Sequence, residues 1–431
     1  MEKKLALDLI DFLYKSPTAY HSVKTIKERL DLNGFNEIKE SDKWNLQKDG
    51  KYYVIKNDSA LIAFTIGNGD IEEDGFKLIG AHTDSPGFRI KANPEMVSEG
   101  KYLKLNTEVY GGPILYTWFD RPLGIAGKVT LKGESPLKPE VKLVNINKPV
   151  LIIPSLAIHM NRSVNEGFNI NRQKDTLPLL SLINDKFEKD GYLVDILAEE
   201  LSVDSGDILG FDLGLYEVEK GAIIGLNEEF ISSGRLDDMW MVYAGVQALI
   251  ESKSNKSTKV MVCIDNEEIG SLTPQGANSA LLLNILERIT LALGEDREGL
   301  HRALANSLMI SADLAHAVHP NVEEKHDPTN RPVLGNGPVL KTAASGSYST
   351  DSYNAAIFEG LCKSAEVPYQ KFFNRSDVRG GTTIGPITSS LLTIPVMDMG
   401  APLLSMHSIR ELAAVKDNVY TIKLFTEFFN L

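Results

Sequence analysis

Apolar residues recur at helical spacing through roughly the first 40 residues, where Leu5, Leu9, Ile10, Phe12 and Leu13 predict one or two amphipathic helices. The period then shortens. Tyr52, Val54 and Ile55, followed by Leu61, Ile62, Ala63 and Phe64, read as paired strands leading into the apolar run FKLIGAH. Between residues 93 and 232 the texture changes to short runs such as KYLKLNTEVY, AGKVTLKG and KPVLIIP, broken by Gly, Pro and Asn, which predict a β-rich insertion. After it, DDMWMVYAGVQALIES is a helix with acidic residues at its N-terminal end, where the helix dipole favours them. The rest alternates strands (TKVMVCID, SLMISAD, LLTIPVMDM) with helices (SALLLNILERIT, STDSYNAAIFEGLCKSA), the pattern of a sheet covered by helices. Residues 1–92 and 233–431 are therefore expected to build one discontinuous α/β domain around an inserted domain of residues 93–232. No fixed-period repeat interrupts this pattern.

A chain of 431 residues exceeds what one hydrophobic core usually serves, which agrees with two domains. Its 43% hydrophobic and 24% charged residues exclude wholesale disorder and a membrane-embedded class. The net charge of −13 argues against binding nucleic acid, which needs a surplus of Lys and Arg. Asp8 and Asp11 break the apolar stretch a signal peptide would need, and no apolar run approaches a membrane span. Cys263 and Cys362 lack CxxC spacing, so neither a disulfide framework nor a cysteine zinc site is expected. The cytoplasm is the expected compartment.

In open α/β sheets ligands bind beyond the carboxyl ends of strands. His82 and Asp84 follow FKLIGA, Glu267 and Glu268 follow VMVCIDN, Asp313 follows SLMISA, and His407 follows VMDMGAPLLSM; Asp237 and Asp238 open the helix after the insertion. Any one of these is more often a cap or a solvated side chain than a ligand. Histidines and carboxylates converging from several strand ends suit zinc or manganese. Of two adjacent glutamates, one can bind metal while its neighbour takes the proton from water, so Glu267 or Glu268 is the base, and Asp237 or Asp238 can bridge a pair of ions.

The segments HTDSPG, SGRLDD, NEEIGS, SADLAHAVHPN, RSDVRGGTTIGPI and LSMHSIRE, in that order and nearly end to end, resemble the aspartyl aminopeptidase family of aminopeptidase I type. The resemblance implies a zinc-exopeptidase-like mixed sheet flanked by helices, carrying an inserted β-rich dimerisation domain. It implies two zinc ions per subunit, replaceable by manganese or cobalt, one held by His82, Asp237 and Asp313 and the other by Asp237, Glu268 and His407. Glu267 becomes the general base for attack by a metal-bridging water, and Asp84 orients His82. His159, in AIHMNR, matches a histidine that reaches a neighbouring subunit's site. The substrates are peptides with a free N-terminus, and dimers are expected to assemble into a dodecamer.

Lys341, in GPVLKTAAS, matches the family's lysine beside an acidic substrate side chain. Where the family commonly continues Asn-Gln-Arg-Tyr-Ala-Thr, this chain has AASGSYST, keeping Tyr348 and losing the arginine. That difference bears on the preference for N-terminal Asp or Glu and leaves the peptidase chemistry untouched. Asp238, where many members carry Asn, adds a like charge beside the ligands. His316 is expected to touch either the substrate or a metal ligand, Tyr348 to lie at the substrate, Asp377 at its α-amino group, and Gly381 where backbone amides approach it. His319 and His326 are expected to be structural, and His21 and His301, in polar helical surroundings, to lie on the surface. The Gly-rich runs match no nucleotide-binding fingerprint. The competing readings are a deacylase or carboxypeptidase-like hydrolase on the same scaffold and a non-catalytic assembly protein.

Overall fold

The computed structural model describes residues 2–183, 191–378 and 380–431. The chain divides into two compact units, Met1–Asp84 with Gly221–Met406 and Glu411–Leu431, and Ser85–Lys220 with His407–Arg410. The first unit is built on a nine-stranded sheet whose order is Asn36–Glu37, Lys51–Lys56, Ala60–Thr65, Thr258–Ile264, Phe76–His82, Leu308–Ala312, Val396–Gly400, Val339–Lys341 and Gln370–Phe372. Thr258–Ile264, Phe76–His82, Leu308–Ala312 and Val396–Gly400 are mutually parallel. Their carboxyl ends therefore share one edge.

Because successive strand residues point to opposite faces, each buried strand feeds two cores. Ile79, Ala81, Met261, Cys263, Ile310, Ala312, Met397 and Met399 pack one face against helices Glu2–Lys15, Leu236–Glu251 and Val415–Asn430. Leu78, Val260, Val262, Ile264, Met309 and Val396 pack the other against Leu281–Ala292, Arg297–Ala305 and Ile384–Leu392. The result is an α/β unit with helices on both faces of a mixed sheet, as the alternating pattern predicts. A five-stranded sheet, from Ala222–Ile224 to Ala315–His316, completes this unit.

The second unit is an antiparallel six-stranded sheet in the order Lys138–Leu151, Leu123–Ser135, Ile208–Glu217, Gly87–Ser98, Tyr102–Tyr110 and Leu179–Leu182. Leu193 and Leu197 of helix Tyr192–Leu201 enter its core, where Phe88 meets Trp118 edge-on at 5.0 Å. Among the described residues, no helix is long and apolar enough to cross a membrane.

His21 departs from the sequence expectation: it is buried on helix Ala19–Leu32, its Nδ1 2.9 Å from the Thr18 hydroxyl. Ser22 and Thr25 are buried beside it, their hydroxyls donating to the carbonyls of Thr18 and His21, so the polar neighbours share the packed face with it. Burial, with Lys24 and Arg235, lowers its pKa to about 4 from 6.5. The unfolded chain then binds more protons than the folded one between those values, so stability rises with pH across that window. Denaturant titrations should show stability falling as pH drops from 6.5 towards 4, and a smaller fall in His21→Gln. An unchanged pH slope in that variant would remove His21 as the cause.

Candidate active site

The shared carboxyl edge of the parallel strands gathers the acidic residues. His82 ends its own strand with Asp84 two residues on, Asp313 follows Leu308–Ala312, and the 3-10 turn Glu267–Ile269 follows Thr258–Ile264. Asn266 precedes that turn in the left-handed region, at φ 63°, its side-chain carbonyl accepting from Thr273 and Gln275. Asp237 and Asp238 arrive from the first turn of Leu236–Glu251; the peptide bond between them is cis.

Asp84 organises much of this edge. Its Oδ1 accepts the amide of Glu267 at 3.1 Å and its Oδ2 the amide of Glu268 at 3.2 Å. His82 Nδ1 lies 3.0 Å from the Asp84 carbonyl oxygen and 3.3 Å from Oδ1. A carbonyl can only accept, so Nδ1 carries a proton, and Nε2 is the nitrogen left to give up its own proton to a metal. Nε2 sits 3.7 Å from Asp237 Oδ1. Two further carboxylates fix backbone in the same way: Asp238 Oδ2 accepts the amide of His82 at 3.1 Å, and buried Glu411 accepts that of Asp237 at 3.1 Å.

One donor atom each from His82, Asp237, Asp238 and Asp313 lie within 4.8 Å of one another, as do those of His82, Glu267 and Glu268. Burial raises the pKa of Asp238, with Asp313 and Asp237 adding to it. Burial also pushes Glu267 up to about 8 against the pull of His82, with Asp313, Glu268 and Asp84 contributing. Burial alone would lower the pKa of His82, but Asp84, Asp238 and Glu267 outweigh it. Carboxylates crowded at low dielectric around an imidazole are the donor set that a dication, taking the place of the imidazole proton, satisfies. The residues present fit zinc.

Lys341 is 2% exposed, its Nζ 3.4 Å from Asp313 Oδ2 and donating to the Leu314 carbonyl at 3.2 Å. Burial lowers its pKa, yet Asp313, Tyr348 and Asp398 hold it raised, so the ammonium persists. Tyr348, also buried, lies under that ammonium at 5.2 Å and edge-on to Phe372. His316 is exposed, its ring 6.1 Å from Phe372. Asp377 is exposed and gripped through both oxygens by Arg375 at 2.8 Å, which holds its carboxyl down near 2; the structure does not bring it to the cluster. Gly381 borders a cavity of about 800 Å³, whose other walls include Thr342, Ser347, Phe373, Asn374 and Thr382.

Two expected residues lie in the second unit. His159 sits on the exposed turn Ile158–Met160. His407, at φ 66°, places Nδ1 3.0 Å from the Gly112 carbonyl oxygen. Sequence reasoning did not single out Glu411 or treat Asp238 as a backbone anchor. The available signal was an acid inside an otherwise apolar stretch, in ELAAV and LDDMW.

Residues 12–429 match the family described as aminopeptidase I zinc metalloprotease (M18). This chain belongs to the M18 family. A probable M18 family aminopeptidase 2 from Clostridium novyi is 62% identical over 428 residues, covering 99% of both chains. Among solved structures, the Ape4 and Nbr1 complex matches with a TM-score of 0.95 at 36% identity, covering 99% of this chain and 86% of that one. The S. cerevisiae mApe1 dodecamer matches with a TM-score of 0.86 at 32% identity, covering 99% and 96%. The strand-end cluster is thus set in an M18 aminopeptidase, a zinc metallopeptidase that hydrolyses peptide bonds.

Proposed function

We propose that this M18 aminopeptidase uses two zinc ions, with His82, Asp237 and Asp313 on one, Asp237, Glu268 and His407 on the other, and Glu267 as general base. The supporting observation is the grip of Asp84 on the amides of Glu267 and Glu268 while its carbonyl fixes the tautomer of His82. One residue thereby aims a ligand and the base together. Zinc, when bound, polarises the scissile carbonyl and acidifies water. Glu267 takes the proton from the attacking water and returns it to the departing amine. Lys341 offsets the charge of Asp313 and holds that carboxylate in place.

The cavity beside Thr342 and Gly381 receives the side chain of the residue released. The ammonium of Lys341 already lies on Asp313, so a preference for Asp or Glu requires it to serve both carboxylates. The subunits pair into dimers that build a dodecamer, in which His159 reaches a neighbour's site. Exposed Leu156, Ile158 and Met160 beside His159 are the kind of apolar surface that an assembly covers. The buried free thiols of Cys263 and Cys362 suit a reducing cytoplasm.

Matched Asp, Glu, Leu and Ala aminoacyl chromogenic substrates test this reading. Chelator should abolish cleavage, zinc, manganese or cobalt should restore it, and N-acetylation of a peptide should prevent it. Metal-restored cleavage of acetylated peptides would place the chemistry with the deacylases instead.

A further inference from the structure

The strand Val396–Gly400 reads VMDMG, and the acid at its centre, Asp398, is 0% exposed. A carboxylate at such a place is costly unless donors hold it. Its Oδ2 accepts the amide of Ser349 at 2.5 Å and its Oδ1 the hydroxyl of Thr383 at 2.5 Å, while its own amide donates to Thr350 Oγ1 at 2.8 Å. Thr383 is also the N-cap of Ile384–Leu392, its Oγ1 accepting the amide of Gly385 at 3.3 Å. A Cβ on Gly385 would fall 2.4 Å from Asp398 Oδ1, so the helix start rests directly on the carboxylate.

These contacts have a common geometric consequence. Ser349 and Thr383 adjoin two separate segments, one carrying Thr342 and Ser347, the other Asn374, Gly381 and Thr382, which both line the cavity of about 800 Å³. A second tie, from the Thr382 hydroxyl to the Ser347 carbonyl at 3.2 Å, joins the same segments. Asp398 also pairs in register with Ser311, on the strand whose end carries Asp313.

We infer that Asp398, acting through Ser349 and Thr383, is a positioning residue that sets the separation of the cavity walls and so the fit of the substrate's N-terminal side chain. The inference rests on the proposed role of that cavity. Where contacts to a non-reacting side chain act equally on ground and transition states, as the clamp requires, losing them raises KM and spares kcat.

Asp398→Ala removes the clamp, and Thr383→Val removes one of its donors should the first variant fail to fold. Thr383→Val should raise KM about tenfold for whichever of the Asp, Glu or Leu substrates is cleaved fastest, with kcat within about twofold, in line with loss of a hydrogen bond to a charged group. The smaller alanyl substrate should be affected less, zinc content should be unchanged, and Thr383→Ser should restore KM. Equal losses on large and small substrates, or a fall in kcat with KM constant, would overturn the clamp. Gly381→Trp separates the two levels: if it leaves KM unchanged, the cavity does not receive the substrate. If it raises KM while Thr383→Val does not, only the clamp is wrong.

Discussion

Glu267→Gln should retain its metal and lose about 10²- to 10⁴-fold in turnover, the range that general base catalysis supplies. The substitution changes no volume, and the amide of residue 267 remains held by Asp84, so the side chain stays where it is. What disappears is the capacity to accept a proton. Removing one carboxylate from a crowded acidic cluster also relieves repulsion, so folding stability should not fall. Metal analysis by mass spectrometry beside steady-state kinetics decides the matter. A variant with full metal content and turnover within about threefold of the parent would show that another group takes the proton.

Asp84→Asn should cost about 10- to 100-fold in metal affinity or activity, the usual penalty for losing a partner that orients ligands. The Asp84 carboxylate accepts two amides, one on each oxygen, and an asparagine must turn its own N–H groups towards one of them. Donor then faces donor, leaving a buried N–H unmatched at a cost of about 1–3 kcal/mol. The displaced 3-10 turn carries both Glu267 and Glu268, so base and ligand move together. Zinc titration monitored by competition with a chromogenic chelator should show weakened binding alongside reduced kcat. Unaltered affinity and turnover would mean that Asp84 only caps a turn. Comparison with Glu267→Gln is informative, because that change should reduce kcat with binding preserved.

The parallel core strands and the helix after the insertion were legible in the sequence because each satisfies one local rule. FKLIGAH, TKVMVCI and LMISA are continuous apolar runs of strand length, as strands buried on both faces must be. The strand-end acids could be picked out because ionisable groups stand abruptly against those runs. Their mutual distances could not, since they depend on the pairing of Thr258–Ile264 with Phe76–His82 across a separation longer than the whole insertion. Nor could the partner of Lys341. A lysine after a strand is ordinarily at the surface, and only the fold shows it 3.4 Å from Asp313. His21 illustrates the same limit from the other side: on a helix packed by several elements, polar sequence neighbours do not guarantee exposure.

The place of Thr258–Ile264 between Ala60–Thr65 and Phe76–His82 sets an order of events during synthesis. The two outer strands leave the ribosome early, yet neither pairs with the other; each pairs with a strand made much later. The six strands of the second unit, from Gly87 to Glu217, are all complete before residue 258 appears. That unit's sheet can therefore form while the N-terminal strands of the first still have open edges, and such edges invite wrong partners. A nascent chain halted short of residue 258 should thus engage chaperones through its N-terminal strands, and one halted after residue 264 should release them.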